Sequence, residues 1–229
     1  MTPPSRRILP AVLAAIPVLA ILLALGTWQV RRLHWKTDLL NQIAAAEAGP
    51  PVPLTAAPQP YTKVQATGRF RYELEATLGA EVRGTSLGTR LITPLEVEGK
   101  PTVLVDRGWV PAERRNAMIE RPDGPVRVTG YVSPPQERDF FAATDDTAGR
   151  RFYTADPRAI GAALGLNNVL PDLLVALAPE GRAANALPQP ALTLPRPRNS
   201  HLGYAITWYG LAASLVGVLI AWILRKDES

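Results

Sequence analysis

A chain of 229 residues with 25 basic and 20 acidic side chains has a net charge near +5, and 47% of it is hydrophobic. The positive excess is mild and scattered, with no basic helix or aromatic-interleaved patch, which excludes nucleic acid as a partner class. The absence of cysteine excludes disulfides, thiolate metal sites and CxxC redox chemistry, and two histidines leave little catalytic machinery.

Residues 1–7 form a short basic leader, and residues 8–30 follow without a single charge. That run predicts a first transmembrane helix. A secretory signal peptide is the competing reading, with Ala24–Leu25–Gly26 as a loose cleavage site, but the apolar run is long for a signal's hydrophobic region. Pro10 and Pro17 are expected to kink or delay the helix, which membrane helices tolerate. Ala20, Ala24 and Thr27 make a stripe of small residues.

Residues 31–60 read as a helical extension and a proline-rich connector. Leu33, Leu40, Ile43 and Ala44 recur at helical spacing, and Gly49–Pro50–Pro51 stops the helix. Trp28 and Trp35 share a face suited to a membrane interface, and His34 falls on another side as a solvated residue.

Residues 61–180 predict a β-rich α+β domain. Strands are expected over 63–73, 75–81, 87–97, 102–110 and 126–132, with shorter ones at 152–154 and 173–177. A tight turn at 98–101 links two of them, and helices are expected at 112–120 and 157–164. So many short strands suggest a partly closed barrel. Residues 181–200 form an extended return.

Residues 202–224 are again free of charge and predict a second transmembrane helix. As a helix they reach roughly 34 Å against a hydrocarbon core of about 30 Å. The fold class expected is therefore a membrane protein, with two terminal transmembrane helices flanking a β-rich α+β extracytoplasmic domain in a lipid bilayer. Two spans put both termini on one side, while the flanking basic residues are too evenly divided to choose the side.

Projected on a helical wheel, Gly203, Gly210, Ser214, Gly217 and Ala221 fall on one stripe, where a second helix can approach closely. This stripe is expected to pack on the chain's own first span. The opposite side, with His201, Tyr204, Ala205, Trp208, Ala212, Leu215, Leu219 and Trp222, is then left for a partner or cofactor.

No HExxH, GxSxG, Walker loop or GxGxxG occurs, so the chain is not expected to be an enzyme. A haem site at the membrane edge is the chemistry that remains. Imidazole ligates haem iron, so His201 is the candidate metal ligand. Tyr204 and Trp208 would shelter the ring, and Arg31, Arg32 and Arg198 would pair with the propionates. The competing reading is that His201 caps the helix or faces lipid headgroups, with the aromatics as interface anchors. Residue types alone leave both open.

Three separate segments carry a family resemblance. Gly26–Thr27–Trp28–Gln29–Val30–Arg31 with Trp35–Lys36 resembles the first signature of the SURF1 (surfeit locus protein 1) family. Asp106–Arg107–Gly108–Trp109–Val110–Pro111 resembles its central RGWVP signature, and residues 199–212 resemble NNHxxYAxTWFxLA at the second span. Asp106 stands where Asn is more usual, and Ser200 replaces a second Asn; His34 is not part of the pattern.

The resemblance implies a two-span protein of the bacterial inner membrane, with both termini cytoplasmic and the central domain periplasmic. It implies a cytochrome c oxidase assembly factor and chaperone that binds haem a transiently and helps deliver it to subunit I of a haem-copper oxidase. Haem A synthase is a further possible partner. The other form of the same role is a cofactor-free scaffold that steadies the oxidase subunit. Arg107, Gly108 and Trp109 remain open between folding the domain, meeting the membrane and touching the oxidase.

Overall fold

The computed structural model describes residues 5–114, 118–140 and 142–227. It comprises α1 (Ser5–Ala48), a β-rich middle that includes the short helix α2 (Pro157–Ala163), and α3 (His201–Asp227). Two compact units result: Met1–Gln42 with Arg196–Ser229, and Ile43–Pro195.

The first unit is a pair of helices, both long and apolar enough to cross a membrane. α1 has 44 residues and begins at Ser5, so Pro10 and Pro17 do not delay it. Among the less exposed positions of α1 are Val12, Ala15, Leu19, Leu22, Gly26, Gln29 and Leu33, in alternating steps of three and four. α3 has the same pattern at His201, Ala205, Trp208, Ala212, Leu215 and Leu219. Each list falls along one face of its helix.

The second unit is built on strands β1 (Val52–Pro53), β2 (Lys63–Phe70), β3 (Ala76–Arg83), β4 (Ser86–Glu96), β5 (Val103–Pro111), β6 (Pro125–Ser133), β7 (Arg151–Phe152) and β8 (Leu173–Ala176). The order is β1-β2-β6-β8-β5-β4-β3-β7, and β2 also pairs with β4 through Arg69↔Glu96 and Phe70↔Leu95. That pairing closes β2, β6, β8, β5 and β4 into a five-stranded ring. The partly closed barrel read from the sequence is therefore present, with β3 and β7 extending from one side.

The barrel interior holds Val64 and Ala66 of β2, Leu95 of β4, Val103 and Val105 of β5, Val128 and Val132 of β6, and Leu174 of β8. A second apolar layer lies outside it, where Ile160 and Leu164 meet Leu78, Ile92, Leu104, Phe152 and Val175. β5 is thus covered on both faces, which explains why its residues from Val103 to Val110 are buried without alternation. α2 starts at Pro157, and Asp156 caps it by accepting from the N–H groups of Arg158 (2.9 Å) and Ala159 (3.3 Å).

Two expectations need correction. β2 ends at Phe70, because Tyr72–Leu74 turns as a single 3-10 helix. The helix expected over 112–120 begins only as a 3-10 turn at Ala112–Arg114; residues 115–117 lie outside the described residues, and Ile119 instead forms a bridge with Leu187. The connector contributes something the sequence reading lacks: β1 pairs in parallel with β2, Val52 opposite Val64.

Candidate functional site

His201 is the first residue of α3, and it points at α1. Its Nδ1 lies 2.7 Å from Oε1 of Gln29, a side chain only 8% exposed. Three further polar contacts, two from Asn199 and one from Tyr209, reach α1 on either side of this level. Asn199 donates through Nδ2 to Oγ1 of Thr37 at 3.3 Å and to the Leu33 carbonyl at 3.5 Å. Tyr209 Oη and Thr27 Oγ1 are 3.1 Å apart, and the Thr27 hydroxyl also donates to the Leu23 carbonyl at 2.8 Å. Hydrogen bonds between helices are one of the few forces that associate them in lipid, where apolar contact gives no net drive.

This geometry overturns the expected division of faces. Gly203, Gly210 and Gly217 have nothing within 4 Å of where a side chain would begin, so the glycine stripe faces outward. Ala205 and Ala212 are 2% and 3% exposed and lie on the His201 side, which is the side that packs. Within the helix pair the described glycine closely approached is Gly26 of α1, where an added Cβ would stand 2.8 Å from the Tyr209 ring.

The six sequence candidates therefore separate. His201 and Trp208 share the packed seam and are half-buried, whereas Tyr204 is 56% exposed on a different flank. Arg31, Arg32 and Arg198 are exposed, and the Arg32 guanidinium stacks on the Trp35 ring at 3.9 Å. Gln29 was not among the candidates. The signal for it was present, since an amide in a long apolar run needs a partner once buried.

The donor chemistry of the ring, which lies on the side of α3 that packs on α1, is that of an axial haem ligand. With Gln29 Oε1 as acceptor, Nδ1 is the donor, and Nε2 of the neutral tautomer is then the nitrogen available to a metal. No group of three His, Cys, Asp or Glu that could hold a metal ion occurs among the described residues. A lone imidazole suits iron that brings its remaining ligands with it, as a porphyrin does.

The central signature has a different occupation. β5 carries a bulge, since Leu91 pairs with Gly108 and Ile92 with Asp106, leaving Arg107 as the extra residue. Asp106, 2% exposed, receives the Arg90 guanidinium and, at 3.0 Å, the Gly108 N–H. Burial pushes the Asp106 carboxyl up, and the Arg90 charge and both hydrogen bonds oppose that rise.

Arg107 turns the other way, to Glu75 at 3.1 Å and to the Glu120 carbonyl, beneath the rings of Phe70 and Tyr72, both 5.1 Å away. Burial pushes this guanidinium down, with Glu75 opposing. Trp109 is 5% exposed and donates its Nε1–H to the Glu81 carbonyl at 3.1 Å. Gly108 has φ 123°, and an added Cβ would stand 2.1 Å from the Gln189 carbonyl oxygen. All three residues of the signature hold the domain together. An open groove of about 680 Å³ lies nearby, but two cations lining it, Arg107 and Arg182, already pair with Glu75 and Glu120.

Comparisons with known proteins point to one family. The SURF1 family model matches residues 16–213. Surfeit locus protein 1 of Xenopus tropicalis is 30% identical over 96% of this chain and 77% of its own length. The human protein of that name is 30% identical over 89% of this chain and 73% of its own. The SURF1-like protein of Rickettsia bellii, a bacterium, is 30% identical over 86% and 83% respectively. A family match from within α1, through the barrel, to the middle of α3 covers the helix pair and the bulged strand together, and the chain belongs to the SURF1 family.

Proposed function

We propose that the chain is a membrane-anchored, non-enzymatic assembly factor that holds haem a at His201 and helps pass it to subunit I of a haem-copper oxidase. On this reading it sits in the bacterial inner membrane with both termini cytoplasmic and the barrel domain periplasmic, and haem A synthase is the donor. The observation that carries it is the His201–Gln29 contact, which fixes one ring nitrogen and frees the other. Haem brings an iron that accepts imidazole and two anionic propionates. Nε2 of His201 would ligate that iron, Trp208 would border the ring on the seam side, and Tyr204 would border it from the outer flank. The exposed guanidinium groups of Arg31, Arg32 and Arg198 would receive the propionates. Ligation by one protein side chain is weak enough to exchange, which a carrier needs.

A cofactor-free scaffold for subunit I is the second reading, favoured by one observation. The outward stripe of Gly203, Gly210 and Gly217 is open to close approach by another protein's helix.

Complementation separates the two. In cells lacking the native gene, His201→Ala should lower the haem a content of the assembled oxidase several-fold, while Gly210→Leu should leave it near wild type. The reverse result would replace the carrier with the scaffold.

A further inference from the structure

On the proposed reading of His201, we infer that Gln29 is a positioning residue that sets how firmly the cargo iron is held. The contact is 2.7 Å long, the amide is 8% exposed, and it crosses from α1 to α3. Asn199 on one side and Tyr209 on the other hold α3 against α1, which keeps the amide within reach of the ring. Gln29 thus selects which nitrogen is bare and in which direction it points.

The chemistry of the acceptor then grades the ligand. A carboxylate at this position would accept a charge-assisted bond and make the imidazole a stronger donor to iron. A hydrocarbon would accept nothing and leave the tautomer and ring angle unset. A neutral amide lies between, giving an oriented ligand that still lets go. Exchange of such an outer partner changes metal affinity by about 10–100-fold.

The test uses the full chain in detergent, comparing wild type with Gln29→Glu and Gln29→Leu. Nitrogen-15 spectra of the histidine-labelled protein without haem, with His34→Gln to assign the second ring, should show wild-type His201 protonated at Nδ1 only. Gln29→Leu should show a mixture of tautomers. With haem a bound, the iron–histidine stretching frequency should rise in Gln29→Glu and fall in Gln29→Leu. Transfer to an apo-globin acceptor should be about tenfold slower in the first and about tenfold faster in the second. A wild-type ring protonated at Nε2, or stretching frequencies and transfer rates equal in all three proteins, would overturn the role of Gln29. Failure of wild type to bind haem a would instead overturn the reading of His201, while the tautomer measurement would still decide whether Gln29 orients the ring.

Discussion

Gly108 combines a φ that L side chains rarely adopt with a carbonyl 2.1 Å from where its Cβ would be. Relief would require moving the backbone at Gln189, which exchanges hydrogen bonds of 2.8 Å with Trp109 in both directions. Gly108→Ala should therefore destabilise the barrel domain by about 3 kcal/mol. Thermal unfolding of the full chain in detergent, followed by near-ultraviolet signals from the tryptophans, checks this; an unchanged transition would contradict it. From the sequence alone the RGWVP segment could be located on a strand, but its work could not be assigned. A bulge is a matter of register between two strands, and neither strand by itself announces where the extra residue falls. The fate of the charges was equally hidden, since Arg107 finds Glu75 only after the chain has folded back over 32 positions.

The helix pair shows where helical-wheel reasoning succeeds and where it misleads. Both helices were legible as uncharged runs, but the packed face of α3 was assigned to the wrong side. Glycines were expected to mark the packed face because small residues allow close approach in lipid. Here the seam is made instead by alanines at 205 and 212 set between larger side chains, with Gly26 alone receiving a ring. The polar pairs decide the matter: His201 with Gln29 and Tyr209 with Thr27 can form only if that side of α3 faces α1. Two substitutions separate the faces. Gly26→Leu would drive a side chain into the rigid Tyr209 ring and should lower the thermal stability of the helix pair by about 1–3 kcal/mol. Gly217→Leu should change it by less than about 0.5 kcal/mol. Measured by helical circular dichroism on heating in detergent, the opposite order would restore the glycine stripe as the packed face.

At the scale of the molecule, fold class was legible because two uncharged runs bracket a middle rich in short alternating strands. The closure of the ring was only partly so, since it depends on a two-residue pairing between β2 and β4. The family follows from signatures in both units. What remains proposed is the cargo, its recipient and the orientation in the membrane, and the cargo rests on one imidazole held by one amide. The most direct measurement is the visible spectrum of the full chain purified from cells that also make haem a, as wild type and as His201→Ala. The account predicts a bound haem a spectrum in the first and its loss in the second. A wild-type protein with no haem spectrum, or a spectrum that survives removal of the histidine unchanged, would contradict it.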